Sequence, residues 1–408
     1  MDKEQIGIPK LRFPGFTGAW EQRKLGEVGK TQSGIGFPNQ EQGGHQGIPF
    51  FKVSDMNNEG NEFEMKISNN YVTEIQITNR KWKPISEVPA VIFAKVGAAL
   101  MLNRKRLVKV PFLIDNNTMA YIFNKKWDPY FGKTLFDTLN LPRYAQIGAL
   151  PSFNGSDIEN IKVMLPSLEE QQVLSQFFQN IDTLIALYQR KLEHLKRQKN
   201  GLLQKMFPKN GESVPEVRFP EFTDSWEQRK LGDIAVIFDG THQTPKYTDS
   251  GIKFVSVENI ATLETEKYIS QKAYENEYSN KQAEKGDILI TRIGNIGTAK
   301  IIEKDEPLAY YVTLALLKPQ NIDSNFLVWG ISSPKVQRNI WKLTLHIAFP
   351  KKINLGEISQ VTINIPSSSE QKKIGEFFQQ LDSLIALHQR KLEHLELLKK
   401  GLLQQMFV

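Results

Sequence analysis

Residues Glu170–Phe207 read EQQVLSQFFQNIDTLIALYQRKLEHLKRQKNGLLQKMF, and the stretch returns as Glu370–Phe407, EQKKIGEFFQQLDSLIALHQRKLEHLELLKKGLLQQMF. Each copy starts at the glutamate of an S-x-x-E capping box that directly follows a proline, a combination that marks a helix start. Apolar residues then recur at alternating steps of four and three, the seven-residue pattern of helices that pack as a coiled coil. The sequence therefore predicts two long helices whose apolar stripes pack on each other.

The residues predicted for this helix–helix seam occupy equivalent places in the two copies. They are Ile181, Ile185, Tyr188, Leu192, Leu195 and Leu202 in the first copy, and Leu381, Ile385, His388, Leu392, Leu395 and Leu402 in the second. Lys199 and Lys399 interrupt the pattern at one position of each. A plain helical hairpin with no role beyond folding is the alternative. The copied polar run Gln189-Arg190-Lys191 counts against it, because a seam needs only its apolar residues.

A second repeat precedes each half of the chain. The stretch Leu11–Glu27, LRFPGFTGAWEQRKLGE, returns as Val217–Asp233, VRFPEFTDSWEQRKLGD, whereas Val28–Glu169 and Ile234–Ser369 share almost no identity. The chain is thus two copies of leader, variable domain and helix, and we expect its end to lie close to its start. The predicted divisions are a leader (1–19), a first variable domain (20–166), a central helix (167–207), a linker (208–225), a second variable domain (226–366) and a C-terminal helix (367–408).

Both variable segments are predicted to be mixed α/β with short strands. The strand-like runs are Ile48–Ser54, Ala90–Lys95 and Met119–Phe123 in the first segment, and Ile252–Val257, Asp287–Thr291 and Tyr311–Leu317 in the second. Glycine-rich breaks follow the middle run in both, so one strand order with different loops is expected. The predicted fold class is α+β, with two pseudo-twofold-related mixed α/β domains separated by two long antiparallel coiled-coil helices.

Composition narrows the class of protein. The 408 residues are 40% hydrophobic and 24% charged, which is typical of a soluble protein of two or three domains. A formal net charge of +7 is compatible with a polyanionic partner but does not require one. The absence of cysteine excludes disulfides, thiolate metal sites and cysteine nucleophiles. The start MDKEQIGIPK is not a signal peptide, and no apolar run is long enough to span a bilayer, so a cytoplasmic protein without membrane contact is expected.

The motifs that resemble catalytic or cofactor sites are incomplete. Gly132-Lys133-Thr134 resembles the end of a phosphate-binding loop, but Trp127 stands where its first glycine should be. Gly294-Asn295-Ile296-Gly297 lacks the acidic residue and the βαβ setting of a dinucleotide site. The six histidines are scattered without metal-ligand spacing. We therefore predict no catalytic residue and no metal site.

Basic and polar residues gather instead at predicted loops of both variable segments. Lysine and arginine bind phosphates, while arginine, lysine, asparagine, glutamine, serine and threonine read base edges. A merely solvated basic loop is the alternative for any single cluster. The predicted DNA-binding residues are Lys81, Lys83, Lys95, Arg104, Lys105 and Arg106 in the first segment, and Thr241, His242, Gln243, Thr244, Arg292, Asn295, His346, Lys351 and Lys352 in the second.

Three motifs together resemble a known family over the whole chain. They are W-E-Q-R-K-L-G at Trp20–Gly26 and Trp226–Gly232, P-S-x-x-E-Q before each long helix, and F-F-Q-x-x-D-x-L-I-A-L-x-Q-R-K-L-E-H-L within it. The chain resembles the specificity subunit of type I restriction–modification systems. Asp239–Pro245, DGTHQTP, is also similar to a recurrent target-recognition pattern, from which Ser33–Gly36 departs in the first segment.

The resemblance implies a non-catalytic reader of double-stranded DNA. Each variable domain would be a target-recognition domain for one half of a bipartite, asymmetric site, and the helices would set the gap between the halves. Two copies of a modification subunit carrying S-adenosylmethionine would methylate adenine N6, and two copies of a restriction subunit would use ATP and Mg²⁺. No cofactor is expected on this chain. The repeated surface predicts partner docking at Trp20, Arg23, Trp226, Arg229, Arg190, His194, Arg390 and His394.

Two other classes remain open at this point. One is a scaffold of two interaction domains on a coiled-coil strut, without DNA binding, and its partner binding would be insensitive to salt. The other is a self-contained methyltransferase or nuclease, which the incomplete motifs disfavour.

Overall fold

In the computed structural model, which describes residues 7–146, 150–243 and 245–408, the chain divides into two units. Unit 1 contains the residues up to 190 together with 389–408, and unit 2 contains 191–388. Each unit therefore holds one variable domain, a segment of the long helix that follows it and a segment of the other long helix. Neither long helix, nor any other in the described residues, is long and apolar enough to cross a membrane.

Unit 1 is built on a four-stranded antiparallel sheet in the order β2-β8-β5-β6. A smaller sheet, β4-β3-β7, contains one parallel pair, β3 with β7, and a third pair joins β1 to β9. The elements are β1 (Glu21–Lys24), α1 (Leu25–Val28), β2 (Gly29–Ser33), β3 (Ile48–Phe51), β4 (Tyr71–Val72), α2 (Glu74–Arg80), β5 (Ala90–Ala94), α3 (Ala98–Met101), β6 (Lys105–Val108), β7 (Leu113–Ile114), β8 (Thr118–Phe123), α4 (Pro129–Thr138), α5 (Gly155–Glu159), β9 (Lys162–Leu165) and α6 (Leu168–Lys205), which continues into unit 2.

Unit 2 repeats this topology, with the orders β11-β18-β15-β16, β12-β14-β13-β17 and β10-β19. It adds a strand, β12, and a helix, α10. The elements are β10 (Glu227–Lys230), α7 (Leu231–Ile234), β11 (Ala235–Asp239), β12 (Tyr247–Thr248), β13 (Ile252–Val255), β14 (Tyr268–Ile269), α8 (Gln271–Tyr278), β15 (Ile288–Thr291), β16 (Ala299–Ile301), β17 (Leu308–Tyr310), β18 (Leu314–Pro319), α9 (Ser324–Ser332), α10 (Pro334–Leu343), α11 (Leu355–Gln360), β19 (Thr362–Ile365) and α12 (Ser368–Met406). The expectation of one strand order with different loops is confirmed.

The middle strands β5 and β15 are buried on both faces, which explains their continuous apolar runs. Two predicted strands end early because a 3₁₀ turn follows each: β3 stops at Phe51 and β13 at Val255. The predicted strand Tyr311–Leu317 is confirmed from Leu314 onward, where β18 begins, but its first three residues lie before that strand. A turn closed by Leu314 N donating to Tyr311 O separates β17 from β18, which belong to different sheets.

The long helices pack antiparallel within each unit. In unit 1, Asp182 of α6 lies 2.6 Å from Lys399 of α12, and Gln189 of α6 contacts Glu396 of α12. Residue numbers increase along α6 as they decrease along α12, so the two helices run in opposite directions. In unit 2, the repeat-equivalent pair joins Lys199 to Asp382. The lysines that interrupt the apolar pattern therefore meet aspartates of the opposite helix.

The predicted seam residues all lie at least partly out of solvent. The buried ones are Ile181, Ile185, Leu192, Leu195, His388 and Leu392, and the half-buried ones are Tyr188, Leu202, Leu381, Ile385, Leu395 and Leu402. Burying each large apolar side chain contributes about 1.5–3 kcal/mol. The seam therefore stabilises each unit largely through these residues.

The predicted capping boxes are only half formed. The backbone N–H of Glu170 donates to Ser167 Oγ at 3.3 Å, as a cap requires. The Glu170 carboxylate, however, binds the Arg12 guanidinium at 2.7 and 2.8 Å. Arg218 binds Glu370 in the same way, so the glutamate of each motif ties the leader to the helix start.

The end of the chain lies against its start within unit 1, as the repeats predict. Leu11 N donates to Gln405 O at 2.9 Å, and the Trp20 ring packs edge-on against Phe407 at 5.9 Å. Unit 2 has the same two contacts, Val217 N to Lys205 O at 2.9 Å and Trp226 against Phe207 at 5.9 Å. Each unit's aromatic core is thus completed by the last residues of the helix that begins in the other unit.

Candidate nucleic-acid interface

A close backbone approach shapes the same corner of both units. A Cβ on Gly240 would lie 2.4 Å from the Tyr311 carbonyl, and one on Gly34 would lie 1.8 Å from Asp115 O. The next residues, Thr241 and Ile35, each form a parallel bridge. Only glycine allows these contacts. Ser33–Gly36 therefore stands where Asp239–His242 stands in unit 2, despite the different sequence.

Thr241 does not face solvent, contrary to its predicted role as a DNA contact. It is buried, with its hydroxyl donating to Glu277 Oε2 at 3.2 Å and its N–H to Tyr310 O. His242 and Gln243 are exposed beside it. Thr244 lies outside the described residues.

Arg292 is likewise buried, which corrects the expectation that it reaches DNA. Its Nη1 donates to Asp239 Oδ1 and its Nε to Ile353 O at 3.2 Å. His242 Nε2 donates to the second Asp239 oxygen at 2.8 Å. Arg292 thus connects the ends of β11 and β15 to the segment that follows Lys352, and it positions exposed neighbours rather than presenting itself.

The remaining predicted residues of unit 2 gather at this end of the sheet. Asn295, His346 and Lys351 line one cavity of about 430 Å³, together with Gln337, Arg338 and Trp341. Lys352 is exposed and pairs with Ile293 in a short antiparallel bridge. Amide, imidazole and cationic groups therefore converge where β15 ends, a combination that suits phosphate and base-edge contacts.

Helix α10 adds basic residues that the sequence analysis missed. It carries Lys335, Arg338 and Lys342, and no aspartate or glutamate occurs between Asp323 and Glu357. Lys335 and Arg338 also line a second cavity, of about 440 Å³. This acid-free stretch is the signal that could have identified the helix from the sequence.

The predicted cations of unit 1 lie in separate places. Lys81 and Lys83 are exposed and flank Trp82, whose ring packs on Phe37 and Phe50. Lys95 is half-buried after β5, in the position that Arg292 occupies after β15. The other predicted cations lie on or just before β6.

This second group is mostly engaged within the protein. Arg104 binds the Asn57 side chain, and Arg106 donates to the Lys105 and Met56 carbonyls. Lys105 is buried, and its ammonium donates to Leu139 O at 2.7 Å. Burial lowers the pKa of Lys105 to about 8. The prediction that Lys105 contacts DNA is therefore not supported, because the side chain points into the domain.

Two of the predicted docking residues are also buried. Trp20 packs on Phe131 and Trp226 on Phe326, so these indoles belong to the cores and not to a partner surface. Their repetition reflects a repeated core. The other predicted docking residues lie at least partly at the surface, namely Arg23, Arg190, His194, Arg229, Arg390 and His394.

Exposed leucines extend this repeated surface. Leu184 and Leu187 are 43% and 51% exposed, and their equivalents Leu384 and Leu387 are 40% and 39% exposed. They are spaced i, i+3 and therefore share one helix face. Apolar residues that are copied exactly at exposed positions of two helices form a surface suited to a partner.

No group of three or more histidines, aspartates or glutamates within residues 7–146, 150–243 and 245–408 is arranged to hold a metal ion.

The family model described as the type I restriction modification DNA specificity domain matches the chain twice, at residues 18–197 and 223–397. A specificity subunit of the type I restriction enzyme MjaVIII from Methanocaldococcus jannaschii is 26% identical over 269 residues, 62% of this chain and 63% of that protein. A putative MjaX specificity subunit from the same organism is 24% identical over 296 residues, 68% of this chain and 67% of that protein. The match thus spans less than two-thirds of the MjaVIII subunit's length.

Solved structures share the fold. The S subunit of a type I restriction–modification system from M. genitalium superposes with a TM-score of 0.66 at 14% identity, covering 98% of this chain and 99% of that one. A chain from a structure of complex assembly in the type I R-M system gives a TM-score of 0.54 at 17% identity, with the same coverage.

Proposed function

The chain belongs to the type I restriction–modification DNA specificity family, and from this premise we propose that it reads a bipartite, asymmetric DNA site. Each unit recognises one half-site with the end of its larger sheet. The helices α6 and α12 set the gap between the halves. The chain itself performs no chemistry.

The observation that carries this proposal is the contrast between repeated frame and varied loops. The same strand order and the same glycine approach occur in both units, yet the side chains around them differ. In unit 2 they are Asn295, His346, Lys351 and Arg338 around one cavity. One framework that carries different side chains in its two copies suits a protein that recognises two different short sequences.

The repeated surfaces support the proposed partners. We propose that two copies of a modification subunit dock on the exposed residues that α6 and α12 share, among them Leu184, Leu187, Leu384 and Leu387. Those subunits carry S-adenosylmethionine and methylate adenine N6, which requires extrusion of the base. Two restriction subunits supply ATP- and Mg²⁺-dependent cleavage.

The test is methylation mapping in a host that carries the partner subunits with and without this chain. We expect methylated adenines in a two-part motif only when the chain is present. The double variant Asn295→Ala/Lys351→Ala should alter or abolish the half-site read by unit 2, leaving the other half-site and the gap unchanged. The control is Lys209→Ala, which replaces an exposed lysine of the linker and should leave the methylated motif unchanged.

Two results would contradict the proposal. One is the absence of chain-dependent methylation together with salt-insensitive binding or no binding to DNA, which indicates a protein scaffold. The other is a change confined to the half-site that unit 2 does not read.

A further inference from the structure

The most exposed apolar side chains of the described residues lie on one loop of unit 2. Ile347 and Phe349 have relative exposures of 99% and 104%, and they are separated only by Ala348. Trp341, nearby at the end of α10, is 64% exposed. Exposed apolar side chains grouped in this way mark a contact surface.

The loop that carries them has a firmly held base. Leu345 N donates to Lys352 O at 2.8 Å, and Gly294 N donates to Lys351 O at 2.9 Å. Ile353, immediately after the loop, is 1% exposed in the core. His346 donates through Nε2 to Trp341 O at 2.8 Å, and its ring lies 4.4 Å from the indole. The tip of the loop, Ile347–Phe349, therefore projects from a base that is bound to the end of β15 and to α10.

The surroundings of the tip are cationic. Lys351 and Lys352 follow it, and Arg338 and Lys342 lie on the adjacent helix. The chain between Asp323 and Glu357 contains no carboxylate side chain. Asn295 and Gln337 line the cavity beside the loop. In duplex DNA, stacked apolar bases lie between two anionic phosphate backbones. The apolar tip therefore complements the bases, and the cations and amides around it complement the phosphates and base edges.

We propose that the Ile347–Phe349 tip enters a groove of the duplex and packs between two neighbouring base pairs of the half-site read by unit 2. The cations beside it bind the flanking phosphates. This inference rests on the proposed function and adds that an apolar side chain, acting as a wedge, separates two base pairs. Apolar wedges of phenylalanine or isoleucine unstack one base step and bend the duplex. An opened step lowers the cost of extruding a nearby adenine.

The aromatic residue of the tip and the lysines beside it are specific to unit 2. The equivalent segment of unit 1 has the sequence Ile147-Gly148-Ala149-Leu150-Pro151 between the bridged residues Gln146 and Ser152, and its Leu150 is 62% exposed. It contains no aromatic residue and no lysine. We therefore expect the duplex to be opened in one half-site at this step and not at the equivalent step of the other.

The experiment uses the full chain bound to its modification subunits and a duplex containing the mapped site. 2-Aminopurine, whose fluorescence rises when it unstacks, replaces one base at a time across each half-site, except the methylated adenine. The wild type should brighten at one step of the half-site read by unit 2. Phe349→Ala should lose that signal and weaken binding by roughly 5- to 150-fold, the loss expected for one stacking contact.

Three variants separate the wedge from charge and from general surface changes. Phe349→Trp should retain both the signal and the affinity. Lys351→Ala should reduce the slope of log Kd against log salt by about 1 and keep the signal in the saturated complex, whereas Phe349→Ala should leave the slope unchanged. Ile75→Ala, at an exposed isoleucine of unit 1 (73% exposed), should change neither.

Two results would overturn the wedge and leave the proposed function intact. One is sequence-specific binding by the wild type without any rise in fluorescence. The other is equal affinity and equal signal for the wild type and Phe349→Ala. If Phe349→Ala leaves DNA binding unchanged but abolishes sedimentation with phosphatidylserine vesicles, the tip contacts membranes and the inference is also wrong. Failure of the wild-type complex to bind any mapped duplex would instead contradict the proposed function itself.

Discussion

Arg218 of the linker and Glu370 at the start of α12 form a buried ion pair. The Glu370 side chain is 1% exposed, and Arg218 reaches it through two bonds of 2.7 Å. The Arg218 guanidinium also donates to Asp224 O at 2.7 Å, which closes the leader turn. Arg12 and Glu170 repeat the arrangement in unit 1. The pair therefore orients the leader against the helix start in both units.

Substitution of Arg218 by alanine should be strongly destabilising. It leaves the buried Glu370 carboxylate without a cation, a change that typically costs about 3–5 kcal/mol. The free energy of unfolding, measured by urea titration, checks the prediction. Lys209→Ala removes an exposed ion pair with Glu216 and should leave the free energy of unfolding nearly unchanged, because water screens such pairs. Equal losses for the two variants would contradict the prediction.

Lys105 links stability to pH. Its pKa is lowered to about 8, chiefly by burial; Asp137 opposes this shift and the neighbouring Lys133 adds to it. Since the lysine of the unfolded chain has the higher pKa, that chain binds more protons between about pH 8 and pH 10.5. The unfavourable effect of Lys105 is therefore complete below pH 8 and disappears as the pH rises to 10.5.

The variant Lys105→Met should remove this dependence. Its free energy of unfolding relative to the wild type should fall by on the order of 3 kcal/mol between pH 7 and pH 11, because only the wild type gains stability there. Urea titrations at several pH values measure the difference. A difference that stays constant with pH would show that burial does not perturb the Lys105 pKa.

At the scale of elements, the helices α6 and α12 carry a repeated pair in two different environments. The Asp182 side chain is 2% exposed, and it binds Lys399 and the Tyr130 hydroxyl, at 2.6 and 2.8 Å. Burial, with Asp182 nearby, raises the pKa of Tyr130. Asp382 is 43% exposed, and its partner Lys199 also lies 4.4 Å over the Trp329 ring. The same sequence positions are thus buried in unit 1 and open in unit 2.

The two lysines provide matched variants. Lys399→Met strands a buried carboxylate and should cost about 3–5 kcal/mol. Lys199→Met leaves a solvated one and should cost about 1 kcal/mol or less. Thermal and urea unfolding of both variants compare the costs directly. A larger loss for Lys199→Met would show that the pairs are not distinguished by their burial.

At the scale of the whole molecule, each unit is completed by a distant part of the chain. Phe407 packs on Trp20, Phe131 and Phe178 in unit 1. Phe207 packs on the equivalent residues, among them Trp226, in unit 2. The aromatic contacts therefore join the residue after each long helix to the variable domain of the same unit, so folding of unit 1 depends on segments far apart in the chain.

A circular permutant should therefore fold. In the repeat, residues 3–10 correspond to the linker residues 209–216, so joining Val408 directly to Lys3 gives a linker of the natural length. The new ends should be placed between Asn210 and Gly211, both exposed. We expect a soluble protein with the wild-type thermal midpoint and methylated motif, measured by circular dichroism and methylation mapping.

The control for this permutant opens the chain inside the helix seam. New ends between Gln189 and Arg190 interrupt α6 and should lower the thermal midpoint markedly. An insoluble linker permutant beside a stable seam permutant would contradict the proposed equivalence of the leader and the linker.

The amino-acid sequence by itself determined the two long helices, their antiparallel seam and the duplicated frame, because periodicity and repetition are properties of local spacing. It also indicated that the two variable domains share one strand order. Tertiary structure alone decided which of the predicted DNA-binding and docking residues face solvent. Lys105, Thr241, Arg292, Trp20 and Trp226 resemble surface residues in their local context, but partners far along the chain enclose them. Conversely, Phe349 looks like a core residue and is exposed. Burial depends on contacts between distant segments, so spacing along one segment cannot reveal it.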